Sequence, residues 1–95
     1  MSDVRDQYPE HKSLQITPNP VSSNATISFS LPESEKVSIK LYDVNGRLIK
    51  TLEDKKLEKG LHQIIWNTEN TTGGIYLLRL QTSSSVQTRK LVVVK

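Results

Sequence analysis

Single apolar residues alternate with polar residues over most of the chain after residue 13. The alternation is clearest in residues 27–31 and 37–41, where every second side chain is Ile, Phe, Leu or Val. A two-residue period places alternate side chains on opposite faces of an extended chain, so one face can be buried while the other contacts water. The pattern therefore predicts β-strands, each with one buried face.

Residues that favour turns separate these apolar runs. Pro18 and Pro20 follow a short run that contains Leu14 and Ile16, and Asn45 with Gly46 can take the positive φ angles of a tight hairpin turn. Pro18 and Pro20 also lack backbone donors, so we expect them to stop the first strand from recruiting another chain. After the first three runs, further strands are predicted over residues 47–53, 60–67, 74–82 and 86–95.

About seven strands with turn signals at regular intervals predict an all-β fold, an immunoglobulin-like antiparallel β-sandwich. The best helix candidate, residues 53–59, has only Leu57 as an apolar anchor and spans barely two turns, so we expect a loop or a long hairpin connection there. The 95 residues suffice for one domain only. Residues 1–13 show no apolar period and are interpreted as a linker or an arm added in cloning, and residues 14–95 as the folded domain.

Composition excludes several function classes. There is no cysteine, and the 13 Lys and Arg residues against 10 Asp and Glu residues are scattered along the chain, which argues against nucleic-acid binding. No apolar stretch is long enough to span a bilayer, and the residues after Met1 do not form a secretory signal. The sequence is then either cytoplasmic or a piece of a longer exported protein whose signal lies upstream.

Catalytic and metal sites find little support in the sequence. His62 has only His11 as a possible partner, and Asp43 with Asn45 begins a calcium-loop pattern that fails because Leu48 stands where glycine is required. No Gly-x-Ser-x-Gly motif is present. We therefore predict that the chain is not an enzyme and needs no cofactor or metal.

An ordered set of short motifs resembles the type A C-terminal sorting domain of the type IX secretion system of Bacteroidota. The motifs cover residues 14–95, whereas residues 1–13 lie outside them. In chain order they are Pro18-Asn19-Pro20-Val21, residues 26–31, residues 37–42, Asp43-Val44-Asn45-Gly46-Arg47, residues 60–67, Gly73-Gly74-Ile75-Tyr76-Leu77 and residues 89–95.

The resemblance implies a role in protein transport. Such a domain ends a larger exported cargo protein, is recognised by the outer-membrane translocon, and is usually removed by a sortase-like protease. The parent protein crosses the periplasm and is then secreted or attached to the cell surface. By analogy the cleaved bond would lie near or before Leu14, although the sequence does not identify it, nor does it reveal the cargo or the oligomeric state.

The last predicted strand is the candidate recognition element. An apolar run at a free strand end can be offered to a receptor by strand addition, and basic neighbours can add contacts to an acidic partner surface. Pairing inside the sandwich is the simpler explanation of the same run, and the sequence does not decide whether the strand is docked or mobile. The residues predicted to contact the translocon are Arg89, Lys90, Leu91, Val92, Val93, Val94 and Lys95.

Two other functions remain open from the residues alone. The first is a fibronectin-like accessory module of a secreted hydrolase, either carbohydrate-binding or a spacer, and the second is an assembly domain similar to the immunoglobulin-like part of flagellar hook-capping proteins. A carbohydrate-binding module should expose a row of aromatic side chains. We expect Trp66 to be a core residue instead, because it shares strand parity with His62 and Ile64.

Overall fold

The computed structural model describes residues 14–95, and these residues form two β-sheets packed face to face. The predicted all-β sandwich of seven strands is confirmed. The interpretation of residues 1–13 as a linker lies outside the described residues. The strands are β1 (Gln15–Thr17), β2 (Asn24–Leu31), β3 (Glu35–Asp43), β4 (Leu48–Leu57), β5 (Gly60–Asn67), β6 (Gly74–Thr82) and β7 (Val86–Val93).

One sheet has three strands in the order β1-β2-β5, and the other has four in the order β4-β3-β6-β7. All strand pairs within the sheets are antiparallel. Each sheet contributes one edge strand to each lateral side of the sandwich. We call the side with β1 and β7 the closed side, since a bridge between Val21 and Val93 joins the sheets there, and the side with β4 and β5 the open side.

The core forms from the alternating apolar positions of both sheets, as the two-residue period predicted. Phe29, Ile39 and Leu78 are among the side chains that lose essentially all contact with solvent. Trp66 is also buried, with 3% of its surface exposed, which confirms its assignment to the core. The buried apolar set is Leu14, Val21, Ala25, Ile27, Phe29, Leu31, Val37, Ile39, Leu41, Trp66, Tyr76, Leu78, Leu80, Leu91 and Val93.

The prediction of a loop over residues 53–59 was wrong for most of that segment. Strand β4 continues to Leu57 and pairs with β3, and the pairing shifts register between Ile39 and Lys40. Leu52 falls at this irregularity and packs against the core. Charged residues do not prevent a strand here because β4 lies at a sheet edge, where charges are tolerated and discourage pairing with other chains.

The hairpin between β3 and β4 uses one residue with positive φ instead of the two that were expected. Gly46 has a φ of 86°, and no residue other than glycine has positive φ within residues 14–95. The Gly46 N–H donates to the Asp43 carbonyl (3.0 Å), and the Asp43 N–H donates to the Arg47 carbonyl (3.0 Å). This arrangement is a turn followed by a left-handed glycine, a common longer hairpin connection.

Candidate functional site

Strand β7, the predicted recognition strand, is docked as an edge strand of the four-stranded sheet. It pairs with β6 along its whole length, from Val86 opposite Gln81 to Val93 opposite Gly74. The side chains of Leu91 and Val93 point into the core and are buried. Two of the seven predicted contact residues therefore hold the strand in the fold and are inaccessible while it is docked.

The outer edge of β7 is covered by the segment that follows β1. The side-chain amide of Asn19 donates to the Lys90 carbonyl (3.2 Å) and accepts from the Val92 N–H (3.1 Å), so it pairs with the strand as a backbone would. Val21 then donates its N–H to the Val92 carbonyl (2.8 Å) and accepts from the Val94 N–H (2.9 Å). We call Asn19 and Val21 the edge clamp.

Arg89 fastens the first described residue to the same strand. Its Nε–H donates to the Leu14 carbonyl (3.1 Å), and the Leu14 N–H donates to the Gln87 side-chain oxygen (3.0 Å). The remaining guanidinium nitrogens donate to the Thr88 carbonyl and to the Gln87 side chain. Arg89 is thus engaged inside the domain, although a charged guanidinium was expected to face a partner.

Three of the seven predicted residues remain exposed at the end of the chain. Lys90 and Val94 are solvent-exposed, and Val92 lies half-buried between them on the outer face of the sheet. Lys95 is exposed, but its Nζ donates to the Thr68 carbonyl (2.6 Å). The accessible surface from this set is formed by Lys90 and Val94 with the outer face of Val92, whereas Lys95 is turned toward the Thr68 and Glu69 carbonyls.

The sequence reasoning missed the edge clamp. Pro18 and Pro20 were interpreted as turn residues that keep the first strand from pairing and as part of a family motif. The structure shows that Asn19 between them and Val21 after them cover a different strand, β7. The signal was present in the motif itself, because an Asn between two prolines has few backbone partners of its own to compete for its side-chain amide. The sequence did not indicate that β7 would supply the backbone groups that bond the Asn19 side chain.

Other candidate chemistry gains no site from the structure. Within residues 14–95 there is no group of three or more His, Cys, Asp or Glu side chains placed to hold a metal ion, and no helix long and apolar enough to cross a membrane. His62 stacks on Phe29 with ring centroids 5.5 Å apart, and its Nε2 lies 2.6 Å from the Glu58 carbonyl. His62 therefore has a structural role at the margin of the core.

The Asp43 carboxylate has a pKa lowered by its hydrogen bonds in the β3–β4 turn. Hydrogen bonds from the backbone N–H groups of Arg47 (3.0 Å) and Asn45 (2.9 Å), together with the Arg47 charge, lower the pKa of this carboxyl despite opposing desolvation. The carboxylate thus accepts hydrogen bonds from two backbone N–H groups of its own β3–β4 turn. Its hydrogen bonds stabilise the hairpin.

Within residues 14–95 the aromatic side chains do not form the exposed platform that a carbohydrate-binding module needs. Phe29, Trp66 and Tyr76 are buried, and Tyr42 is half-buried. A planar ring that faces the core cannot stack on a sugar. The accessory-module alternative is therefore not favoured by the described part of the chain.

The decisive comparison is with protein-family models. The model of the secretion system C-terminal sorting domain matches residues 15–94. The chain belongs to this family. The resemblance first seen in the spaced motifs is confirmed, and the domain is a C-terminal sorting signal of the type IX secretion system, a class of domain that directs transport and does not catalyse reactions.

A solved structure related to the same secretion system has a similar fold. It is PorZ of Porphyromonas gingivalis, described as an essential bacterial surface component of the type-IX secretion system. The match has a TM-score of 0.64 at 18% identity, and covers 90% of this sorting domain but only 12% of the PorZ chain. At this identity the likeness shows the fold alone. No match was found among curated proteins.

Proposed function

We propose that this sorting domain directs its parent protein across the outer membrane by presenting the docked β7 strand to the type IX translocon. The observation that supports the proposal is that neighbouring residues of β7 have different environments. Leu91 and Val93 hold the strand in the core, whereas Lys90 and Val94 leave their side chains accessible. A receptor can then read an ordered strand without unfolding the domain.

The accessible part of β7 combines charge with apolar surface. Lys90 would contact acidic groups of the translocon, and Val92 with Val94 would supply apolar contact. Lys95 would add a second cationic contact once its Nζ releases the Thr68 carbonyl. Arg89 contributes by keeping the strand and Leu14 together, since its guanidinium is already bonded to the Leu14 carbonyl. The seven residues thus act as one element with two roles, docking and contact.

The translocon would bind β7 more strongly if it displaced the edge clamp and formed its own hydrogen bonds with the strand. The groups that Asn19 and Val21 satisfy on Lys90, Val92 and Val94 are backbone groups, the kind that an added strand would bond. Because such bonds replace existing ones, the exchange costs less than exposing bare backbone groups to an apolar surface. Strand addition at β7 is therefore possible only after the clamp opens.

The remaining features of the proposed function follow from the family. The parent cargo protein lies upstream in the same polypeptide and passes through the periplasm before it is secreted or displayed on the cell surface. After export a sortase-like protease removes the domain by cutting near or before Leu14, in the polar arm of residues 1–13, which we propose as a linker. Leu14 itself is buried, so cleavage C-terminal to it would have to disturb the core.

The test is export of a folded fluorescent reporter that carries a Sec signal at its N-terminus and residues 2–95 at its C-terminus. The host is a member of the Bacteroidota, used with and without a working translocon. We expect translocon-dependent reporter in the medium or on the surface. Retention of intact fusion in the periplasm of both strains would contradict the sorting role in this host.

Charge reversals then test the contact surface. Lys90→Glu and Lys95→Glu should each reduce export, and the control is Lys56→Glu, an equal charge change at the exposed opposite edge of the same sheet. Equal export of all three variants, with wild-type export intact, would remove β7 as the contact while leaving the sorting function in place. The two experiments therefore distinguish a failure of the sorting function from a failure of β7 as the contact surface.

A further inference from the structure

Strand β5 is an edge strand without the protection that sheet edges usually carry. It pairs with β2 on one side and with no other strand of residues 14–95 on its second side. Its eight residues, Gly60–Asn67, include no charged side chain and no proline. Bare edges of this kind are sites where another strand can add.

The outer face of β5 is also apolar. Leu61 and Ile65 are 67% and 69% exposed, the largest values among the exposed large hydrophobic side chains of the described residues. They lie on the same face of the strand with Gln63 between them, because alternate residues share a face. Folding of residues 14–95 leaves both side chains in water, so their burial requires a partner from outside these residues.

The backbone groups that face the open edge can be assigned from the pairing register. The Thr68 N–H donates to the Ser23 carbonyl (2.7 Å), directly beyond the pair of Asn24 and Asn67. Hydrogen-bonded and non-bonded pairs alternate along an antiparallel ladder. The residues that turn their N–H and C=O groups away from β2 are therefore Leu61, Gln63, Ile65 and Asn67.

We propose that β5 pairs with β5 of a second copy of this chain, antiparallel about a two-fold axis at Gln63, to join two three-stranded sheets into one of six strands. In this register Gln63 faces its own equivalent, and Leu61 faces Ile65 of the second copy. All of these residues have free backbone groups at the edge, so the register forms hydrogen-bonded pairs. The same register places exposed aliphatic side chains against each other on one face.

Charge at the two ends of β5 supports a second copy over an unrelated strand. Lys59 precedes the strand and Glu69 follows it, and both are exposed. The two-fold register brings Lys59 of one copy and Glu69 of the other to the same end of the joined sheet, because residue 59 comes opposite Asn67 of the second copy. The symmetry repeats this opposite-charge arrangement at the other end, and the pairing is therefore self-complementary.

The size of the contact sets its strength. One pair of eight-residue strands gives an interface below about 1,200 Å², which is typical of weak and transient association. We therefore expect a concentration-dependent dimer and a monomer at high dilution. The inference concerns the open side of the sandwich and does not depend on the role of β7 in sorting.

Sedimentation velocity of the full 95-residue chain from about 10 μM to about 1 mM tests the proposal. Ile65→Lys places a charge in the centre of the paired face and should raise the dissociation constant at least about tenfold. The matched control is Ile75→Lys, because Ile75 is an exposed aliphatic residue on the outer face of the other sheet (46%). This control should change the dissociation constant less than about twofold.

A charge exchange tests the register itself. Lys59→Glu should weaken the dimer, since it opposes Glu69 of the second copy, and the double variant Lys59→Glu with Glu69→Lys should restore it. Circular dichroism confirms that each variant is folded. A chain that stays monomeric to about 1 mM overturns the proposal, and so does a dimer that survives Ile65→Lys or shows no rescue by the exchange.

Discussion

The two lateral sides of the sandwich differ in how far the outer backbone groups of their edge strands are bonded within residues 14–95. On the closed side, β7 has its outer backbone groups bonded by Asn19 and Val21, and Arg89 bonds the Leu14 carbonyl. On the open side, β5 has no second strand partner within residues 14–95 and exposes Leu61 and Ile65.

The difference shows that hydrophobicity alone does not define a sticky edge. The run Leu91 to Val94 is more apolar than β5, yet half of it is buried and its backbone edge is occupied. The less conspicuous strand β5 offers more accessible apolar surface and more accessible backbone. An edge becomes available through what the tertiary structure leaves uncovered.

The other edge strand of the open side is β4, and it differs from β5 in carrying charged side chains along its length. It is long and has no partner on one side among the strands of residues 14–95, but carries Lys50, Glu53, Asp54, Lys55 and Lys56. Two weak ion pairs neutralise part of this charge, Lys36 with Asp54 (3.7 Å) and Lys55 with Glu53 (3.9 Å). Charges along an edge oppose pairing with another chain, and β5 lacks this protection.

The largest expected effect is a difference in the free energy of unfolding between the alanine variants of two leucines, Leu91 and Leu61. Leu91→Ala should lower the free energy of unfolding by about 2 to 5 kcal/mol, because it leaves a cavity beneath β7. Leu61→Ala should change it by less than about 0.5 kcal/mol, since Leu61 is already in water. Urea unfolding at low protein concentration measures both, and equal losses would contradict the contrast between the two sides.

Asn19→Ala should have the next largest effect, about 1 to 2 kcal/mol, because it removes two hydrogen bonds to β7. Hydrogen exchange of the Val92 amide should accelerate, while amides in β2 should change only by the global loss of stability. Asn70→Ala, at an exposed loop position, is the control. Unchanged exchange at Val92 would show that the clamp does not protect this edge.

Gly46→Ala should cost about 1 kcal/mol and affect the open side, because the hairpin holds β4 on β3. No atom lies within 4 Å of the position of an added Cβ, so the cost comes from the positive φ alone. Gly73→Ala offers a contrast, since its Cβ would lie 3.2 Å from the Val93 carbonyl oxygen on the closed side. Thermal unfolding of both variants distinguishes backbone strain from crowding, and an unaltered midpoint for Gly46→Ala would disprove the strain.

The smallest effect is the pH dependence of the β3–β4 turn. The pKa of Asp43 is lowered in the folded chain, so its carboxylate stabilises the fold above the unfolded pKa of about 4 and loses this contribution as the pH falls below that range. Asp43→Asn should therefore reduce stability at pH 7 and have no effect in more acidic solution. A difference between the two proteins that is constant from pH 7 to about pH 2 would contradict this linkage.

Much of the fold could be predicted because the two-residue period is a local property. Alternation at residues 27–31 and 37–41 placed the buried faces correctly, and Trp66 was assigned to the core from its strand parity and from the usual place of a lone Trp in a small sandwich. Strand β4 was cut short because its charged residues look like a loop when the edge position is unknown. A strand at a sheet edge needs only one partner and little apolar surface, and neither property is visible in a short segment.

The candidate site could be predicted only as a stretch of chain. Residues 89–95 were chosen for their composition, but the roles within them depend on which way each side chain points. Leu91 and Val93 face the core while Lys90 and Val94 face solvent, and Arg89 is bonded to Leu14. Contacts between residues more than seventy positions apart, such as Asn19 with Val92, cannot be read from spacing.

The sequence by itself determined the number and character of most strands and the family, because alternation, turn residues and ordered motifs are local properties of the chain. Only the tertiary structure decided which edges are closed. Covering an edge requires groups from distant segments to meet. The order of strands in the two sheets brings Asn19 and Val21 to β7, while no second segment of residues 14–95 pairs with β5.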